Sequence, residues 1–96
     1  MSSQEIADTG ASLAVEIDQL AAQYHVKSDE YDILSWEADI IRAKSKGALE
    51  NCGLVENLRE STLLSTWGAN LAESIPNIAN KVRDFHASYN SVKKCT

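Results

Sequence analysis

Apolar residues recur along the first half of the chain at steps of three and four residues, the spacing of one helix face. Written as a heptad, the sequence has two seam positions. One contains Ile6, Leu13, Leu20, Lys27, Leu34, Ile41 and Ala48. The other contains Gly10, Ile17, Tyr24, Tyr31, Ala38 and Ser45. No stretch alternates with a period of two, which argues against β-strands. The pattern predicts an amphipathic helix over residues 3–46 whose apolar stripe keeps its phase throughout.

Residues 25–30 leave two interpretations of this first half open. Ser28, followed by Asp29 and Glu30, has the composition of a helix N-terminus, with a capping hydroxyl and acidic residues in the first turn. The unbroken stripe favours one continuous or slightly bent helix instead, because a turn normally resets the phase of the apolar positions. The prediction is therefore a continuous helix, with a cap at Ser28 as the alternative.

Two glycines and an asparagine within seven residues end this half, because they supply C-cap and turn positions, and they predict a connection over residues 47–53. Beyond it, apolar residues again recur at steps of three and four, which predicts a second helical half over residues 54–93. Pro76 must kink or interrupt that half, since proline removes a backbone hydrogen bond and crowds the preceding turn. Ser74 is placed to cap a new helix that starts at Ile75, with Pro76 in its first turn.

Two amphipathic halves joined by a short connection predict an all-α fold in a single domain of residues 1–96. The expected architecture is an antiparallel helical hairpin of two long helices, with the second half kinked near Pro76. If Ser28 and Ser74 both act as caps, the same sequence folds into a compact four-helix bundle. The two architectures differ in oligomeric state, because an extended hairpin buries too little surface alone and pairs with another.

The composition, with 44% hydrophobic and 24% charged residues, is that of a soluble globular protein. The net charge of −5 limits the classes of partner that the protein can bind. Nucleic acid is disfavoured as a partner, because proteins bind it mainly through clustered Lys and Arg side chains. No apolar run reaches the roughly 20 residues of a membrane-spanning helix. The N-terminus lacks the pattern of a secretory signal. We expect a cytoplasmic protein, with export that needs no cleavable signal peptide as the alternative.

Catalytic, metal-binding and cofactor-binding motifs are missing from the sequence. The candidate side chains are His25, His86, Cys52, Asp84 and Glu73. None has a partner at a recognisable spacing, so we predict no enzyme, no metal and no cofactor, with both histidines on the surface. Cys52 and Cys95 predict two free thiols in a reducing compartment, with a bridge between them as the alternative.

Apolar side chains exceed what a lone hairpin covers, which predicts a protein partner. Trp36 lies with Ile33 and Ile40 on a second apolar flank beside the main seam, and a helix with two apolar flanks tends to have two neighbours. The alternative is that Trp36 belongs to the core of a four-helix bundle. The predicted interface residues are Ile33, Trp36, Ile40, Trp67, Leu71, Ile78, Val82, Phe85 and Tyr89.

An acidic helical hairpin of 96 residues that carries Trp67-Gly68-Ala69 resembles the WXG family of small type VII secretion proteins and their LXG-associated relatives. The family has a Trp-x-Gly turn, whereas here the glycine follows Trp67 directly. Near the C-terminus, where such families carry an aromatic residue and then an acid, Phe85 is followed by Tyr89 and Tyr89 by Lys93, so the secretion signal does not carry over. The resemblance implies hairpins that pair with each other or with the N-terminal helices of a larger exported protein.

The sequence thus predicts a non-enzymatic helical interaction protein, an adaptor or chaperone that pairs with helices of itself or of a larger secreted protein. The alternative is a compact acidic four-helix inhibitor or regulatory domain that binds a basic protein through its surface charge. Its densest acidic cluster comprises Asp29, Glu30, Asp32, Glu37 and Asp39.

Overall fold

A computed structural model describes residues 2–50 and 60–92, and the regular elements in this part of the chain are all helices. They are α1 (Ser3–Ala21), α2 (Asp29–Glu50), α3 (Ala69–Ser74) and α4 (Pro76–Val92). The all-α prediction is confirmed, and so is the break near Pro76. The molecule is 42 Å long and 22 Å across in both other directions. A continuous helix over residues 3–46 would by itself span about 65 Å.

The first half of the chain is two helices, so the predicted continuous helix over residues 3–46 is wrong. Residues 22–28 form turns, and the Ser28 hydroxyl accepts a hydrogen bond from the Tyr31 backbone N–H over 3.2 Å, as an N-cap does. The same hydroxyl donates to the His25 carbonyl over 2.6 Å. The turn between Ala21 and Asp29 is seven residues long, or one heptad, so the apolar stripe has the same phase on both sides.

Helices α1 and α2 pack as an antiparallel hairpin along the predicted seam. Gly10 lies against Ser45, while Asp18, farther along α1, pairs with Arg42, farther back along α2. The buried apolar residues of this hairpin are Ile6, Ala7, Leu13, Ala14, Ile17, Ala21, Ile33, Leu34, Ala38, Ile40, Ile41 and Ala48. Most buried residues of the two helices therefore belong to the stripe that the sequence displays or to its flank, while Ala7, Ala14 and Ala21 form a further row on α1.

Helix α4 packs against a second side of α1. A Cβ atom added at Gly10 would lie only 2.6 Å from Cε1 of Phe85, so three helices approach one another at this residue. Nearer the start of α4, the Lys81 ammonium donates to both carboxylate oxygens of Glu16, at 2.9 and 3.1 Å. The glycine in the predicted stripe thus lets α2 and α4 both approach α1 closely.

The connection and the second half differ from their predicted bounds. Helix α2 continues through residues 47–50, while residues 51–59 lie outside the described part of the chain. Residues 60–68 form turns rather than the predicted helix. This segment is rich in Ser and Thr, whose hydroxyls compete for backbone groups; the Ser65 hydroxyl, for example, bonds the Thr62 carbonyl over 2.5 Å.

Pro76 lies in the first turn of α4, as predicted, but the helix begins at Pro76 and not at Ile75, and Ser74 does not cap it. The Ser74 hydroxyl donates to the Leu71 carbonyl over 2.7 Å at the end of α3. The carbonyl of Ile75 accepts the first hydrogen bond of α4, from the Ala79 N–H over 3.0 Å. Proline is tolerated here because the first N–H groups of a helix have no partner within it.

Two further sequence predictions concern cysteines and membranes. Cys52 and Cys95 lie outside the described residues, so their thiol or bridged state stays a prediction. Within residues 2–50 and 60–92, every helix is too short or too polar to span a bilayer.

Candidate functional site

The two tryptophans of the chain meet on the surface. The rings of Trp36 on α2 and of Trp67 in residues 60–68, which we call the turn segment, have centroids 5.3 Å apart and planes inclined at 57°. Trp36 is 44% exposed and Trp67 is 42% exposed, and Leu64 in the same turn segment is 37% exposed. We call Trp36, Trp67 and Leu64 the tryptophan surface. Large aromatic side chains that stay exposed together are typical of the centre of a protein interface.

A buried carboxylate holds the turn segment against α2. Glu37, the neighbour of Trp36, is completely buried, and its Oε1 accepts a hydrogen bond from the Ser61 hydroxyl. The same Oε1 accepts from the backbone N–H of Leu63 over 3.2 Å. Between them, the Thr62 hydroxyl donates to the carbonyl of Ile33 over 2.7 Å. Three consecutive residues are therefore bonded to the part of α2 that carries Trp36.

Gly68 allows this segment to fold back on itself. Its N–H donates to the Ser65 carbonyl over 3.1 Å, and a Cβ atom at this position would lie 2.6 Å from the carbonyl oxygen of Leu63 and would also overlap that of Thr62. These contacts are with backbone, which cannot move aside as a flexible side chain does. The tight turn, together with the anchor on Glu37, carries Trp67 to Trp36.

The second carboxylate oxygen of Glu37 ties α4 to the same point. His86 Nε2 lies 3.1 Å from Glu37 Oε2, and the histidine is nearly buried. Its other ring nitrogen, Nδ1, lies 2.9 Å from the ammonium of Lys44, which also sits 5.0 Å from the centre of the Tyr89 ring. The prediction that His86 is a surface residue is therefore wrong, whereas His25 is exposed as expected.

The hydrogen-bond chain fixes the tautomer of His86. An ammonium only donates, so Nδ1 accepts from Lys44 and the ring proton lies on Nε2, which donates to Glu37. The cation of Lys44 and the anion of Glu37 are thereby bridged by one imidazole. Every buried side-chain nitrogen and oxygen in the described ranges has a hydrogen-bond partner.

This buried network is arranged for holding elements together. Ser61 and His86 bond opposite oxygens of Glu37, so the hydroxyl does not meet the imidazole as a nucleophile meets its base. Glu37 is buried because it satisfies donors from α4 and the turn segment at once. The sequence carries one signal of this: Glu37 directly follows Trp36, between the buried positions Leu34 and Ala38.

The predicted interface residues divide into three groups. The buried ones are Ile33, Ile40, Leu71, Val82, Phe85 and Tyr89. Ile78 is half-buried, and only Trp36 and Trp67 are exposed. Six of the nine are thus covered by the chain itself, because α4 and the turn segment lie on the faces that a bare hairpin would leave open. The exposed part of the predicted interface is the tryptophan pair.

The predicted acidic cluster also divides. Glu37 is in the core, while Asp29 and Asp39 are exposed and Glu30 and Asp32 are half-buried. Asp39 accepts from Arg42 over 3.2 Å.

A groove of about 610 Å³ lies between α1 and α4, away from the tryptophan surface. Ile6, Leu13 and Phe85 form its apolar floor, and Asp8 and Asp84 are among its polar edges. Within residues 2–50 and 60–92, histidines and carboxylates form no group of three or more that suits a metal ion.

Comparison with known proteins returned no matching family model, no matching curated protein and no matching solved structure.

Proposed function

We propose that this protein is a non-enzymatic binding domain, an adaptor or chaperone that receives an apolar helix of a partner protein on the tryptophan surface. The observation that carries the proposal is the contact between Trp36 and Trp67, whose rings are 5.3 Å apart while more than two fifths of each residue stays exposed. Exposed aromatic clusters of this kind supply much of the binding energy of protein interfaces.

The way the surface is built supports the proposal. The turn segment is bonded to Glu37 and Ile33 in the α2 stretch that carries Trp36, so Trp67 is held in place before any partner arrives. A site ordered in advance loses less conformational entropy on binding. Pairing with a larger exported protein, which the resemblance to the WXG proteins implies, is part of the proposal.

Photo-crosslinking tests the proposal. Benzoylphenylalanine placed at Trp36 or Trp67 is expected to form an adduct with a partner in the cells that express the protein, while the same probe at Val15 is not. Val15 is a matched control because it is an apolar helix residue, 53% exposed. The adduct formed from position 36 should disappear when Trp67→Ala is added.

Four outcomes decide the test. An adduct that depends on Trp67 supports the proposal, and an adduct between two copies of this chain supports its self-pairing form. Equal labelling from positions 36, 67 and 15, or none from the two tryptophan positions, would overturn it.

A further inference from the structure

We propose that the partner segment is a basic amphipathic helix, whose apolar residues cover Trp36 and Trp67 while its Lys and Arg side chains face the carboxylates beside Trp36. This inference rests on the proposed function and names the chemistry of the partner. The observation behind the inference is that two exposed indole rings lie next to a row of carboxylates on α2.

Helix geometry places the carboxylates next to the indole. Asp29, Asp32 and Asp39 all lie within about 60° of Trp36 around α2, because an α-helix turns by about 100° per residue. Asp32 and Asp39 lie on the side of Trp36 away from the buried Ile33 and Ile40, while Asp29 is exposed and lies almost in line with Trp36. A helix that covers Trp36 from solvent therefore passes over this row.

The stretches of sequence around Trp36 and around Trp67 contain charged side chains of one sign. Residues 29–41 and 60–80 contain seven Asp or Glu and not one Lys or Arg. Glu37 is buried with His86, and Asp39 is paired with Arg42 at the edge of the surface. Asp29 and Asp32 take part in no ion pair within the described part of the chain, so the α2 side of the surface is negative, which attracts a basic segment and repels a second copy of a chain with net charge −5.

The spacing of the rings fits a helix as the occupant. Their centroids are 5.3 Å apart, close to the rise of about 5.4 Å in one helical turn. Apolar residues one turn apart on a partner helix can therefore each contact one indole. This is the pattern by which amphipathic helices bind to exposed apolar surfaces.

Peptide binding followed by intrinsic fluorescence tests the inference. Trp36 and Trp67 are the two tryptophans of the chain, so emission reports the surface directly when the peptide contains none. The probe is a synthetic amphipathic helix of Leu and Lys, compared with the same helix carrying Gln or Glu in place of Lys. We expect a blue shift with the Lys peptide, and binding about tenfold tighter than with the Gln peptide at low salt and converging with it at high salt.

Matched variants separate local charge from total charge. Asp29→Asn with Asp32→Asn should weaken binding of the Lys peptide about fivefold. Asp8→Asn with Asp84→Asn removes the same charge at the α1/α4 groove and should change binding by less than about twofold. Trp67→Ala, checked for folding by circular dichroism, should weaken binding about thirtyfold.

The outcomes distinguish this inference from the proposed function. Equal affinity for the Lys and Gln peptides, both lost in Trp67→Ala, would overturn the basic partner and leave the binding surface intact. Equal losses in the two double variants would show that total charge alone attracts the peptide, and would also overturn the inference. If no peptide binds or shifts the emission, the inference and the tryptophan surface as a helix-binding site both fail.

Discussion

His86 on α4 donates its Nε2 proton to the buried carboxylate of Glu37 on α2, across 3.1 Å. The other oxygen of that carboxylate accepts from Ser61 and from the Leu63 N–H, so one side chain joins α2, α4 and the turn segment. A buried anion is costly unless its hydrogen-bonding capacity is satisfied, and here it is. Glu37 therefore determines where the turn segment lies and, through it, where Trp67 lies.

Removing this carboxylate should be strongly destabilising. Glu37→Ala is expected to lower the free energy of unfolding by about 3 kcal/mol, because it leaves donors on His86, Ser61 and Leu63 without their acceptor. Glu37→Gln should cost less, since its amide oxygen still accepts from the turn segment. Urea denaturation measures both, with exposed Asp39→Ala as the control. A loss from Glu37→Ala as small as that of the control would contradict the role of Glu37.

The tautomer of His86 is a direct spectroscopic prediction. At neutral pH, ¹⁵N–¹H correlation spectra should show His86 protonated on Nε2 and unprotonated on Nδ1, because Lys44 can only donate to Nδ1. Lys44→Met should alter the Nδ1 resonance of His86 and leave that of exposed His25 unchanged. A proton on Nδ1 in the unmodified protein would show that the bridge between Lys44 and Glu37 does not form.

Gly10→Ala should destabilise the protein although alanine is the better helix former. The added Cβ would overlap Ser45 and lie 2.6 Å from the ring of Phe85, a steric cost of about 1–3 kcal/mol that exceeds the gain in helix propensity of about 1 kcal/mol. Thr9→Ala, at the exposed neighbouring position, should raise the free energy of unfolding by about 0.5 kcal/mol, because alanine has the higher helix propensity. Thermal unfolding compares the two. An increase in melting temperature for Gly10→Ala would refute the close packing of α4 on α1.

Ser28→Ala distinguishes the capped turn from a continuous helix by the sign of its effect. A cap predicts a loss of about 1 kcal/mol in unfolding free energy, whereas within a continuous helix alanine would be stabilising. Ser12→Ala, at an exposed position inside α1, provides the comparison and should be slightly stabilising. Ser28→Asp should keep most of the wild-type stability, since aspartate also caps helices.

The contact between the two indoles should be measurable as a coupling energy. A double-mutant cycle with Trp36→Ala and Trp67→Ala is expected to give about 1 kcal/mol of interaction in urea denaturation. Pairing Trp36→Ala with Leu49→Ala, an exposed residue farther along α2, should give additive effects. Additivity between the two tryptophans would mean that their rings do not touch in solution.

The stripe of apolar residues predicted the helical class and the seam between α1 and α2, because burial of one helix face leaves a period of three to four residues in the sequence. It did not show the turn at residues 22–28. That turn spans one heptad, so Leu20 and Leu34 keep the same phase across it. The local signal at Ser28 was the correct one, since a cap reflects hydrogen bonding and not periodicity.

The sequence by itself determined which faces are apolar and that the second half breaks near Pro76, and it predicted an interface that contains both tryptophans. Only the tertiary structure decided that six of the nine interface residues are covered within the chain, and that Glu37 and His86 meet inside it. The physical reason is that a polar residue is buried only when donors and acceptors distant in sequence satisfy it. Periodicity records burial along one helix, whereas partners 49 positions apart are brought together only by packing.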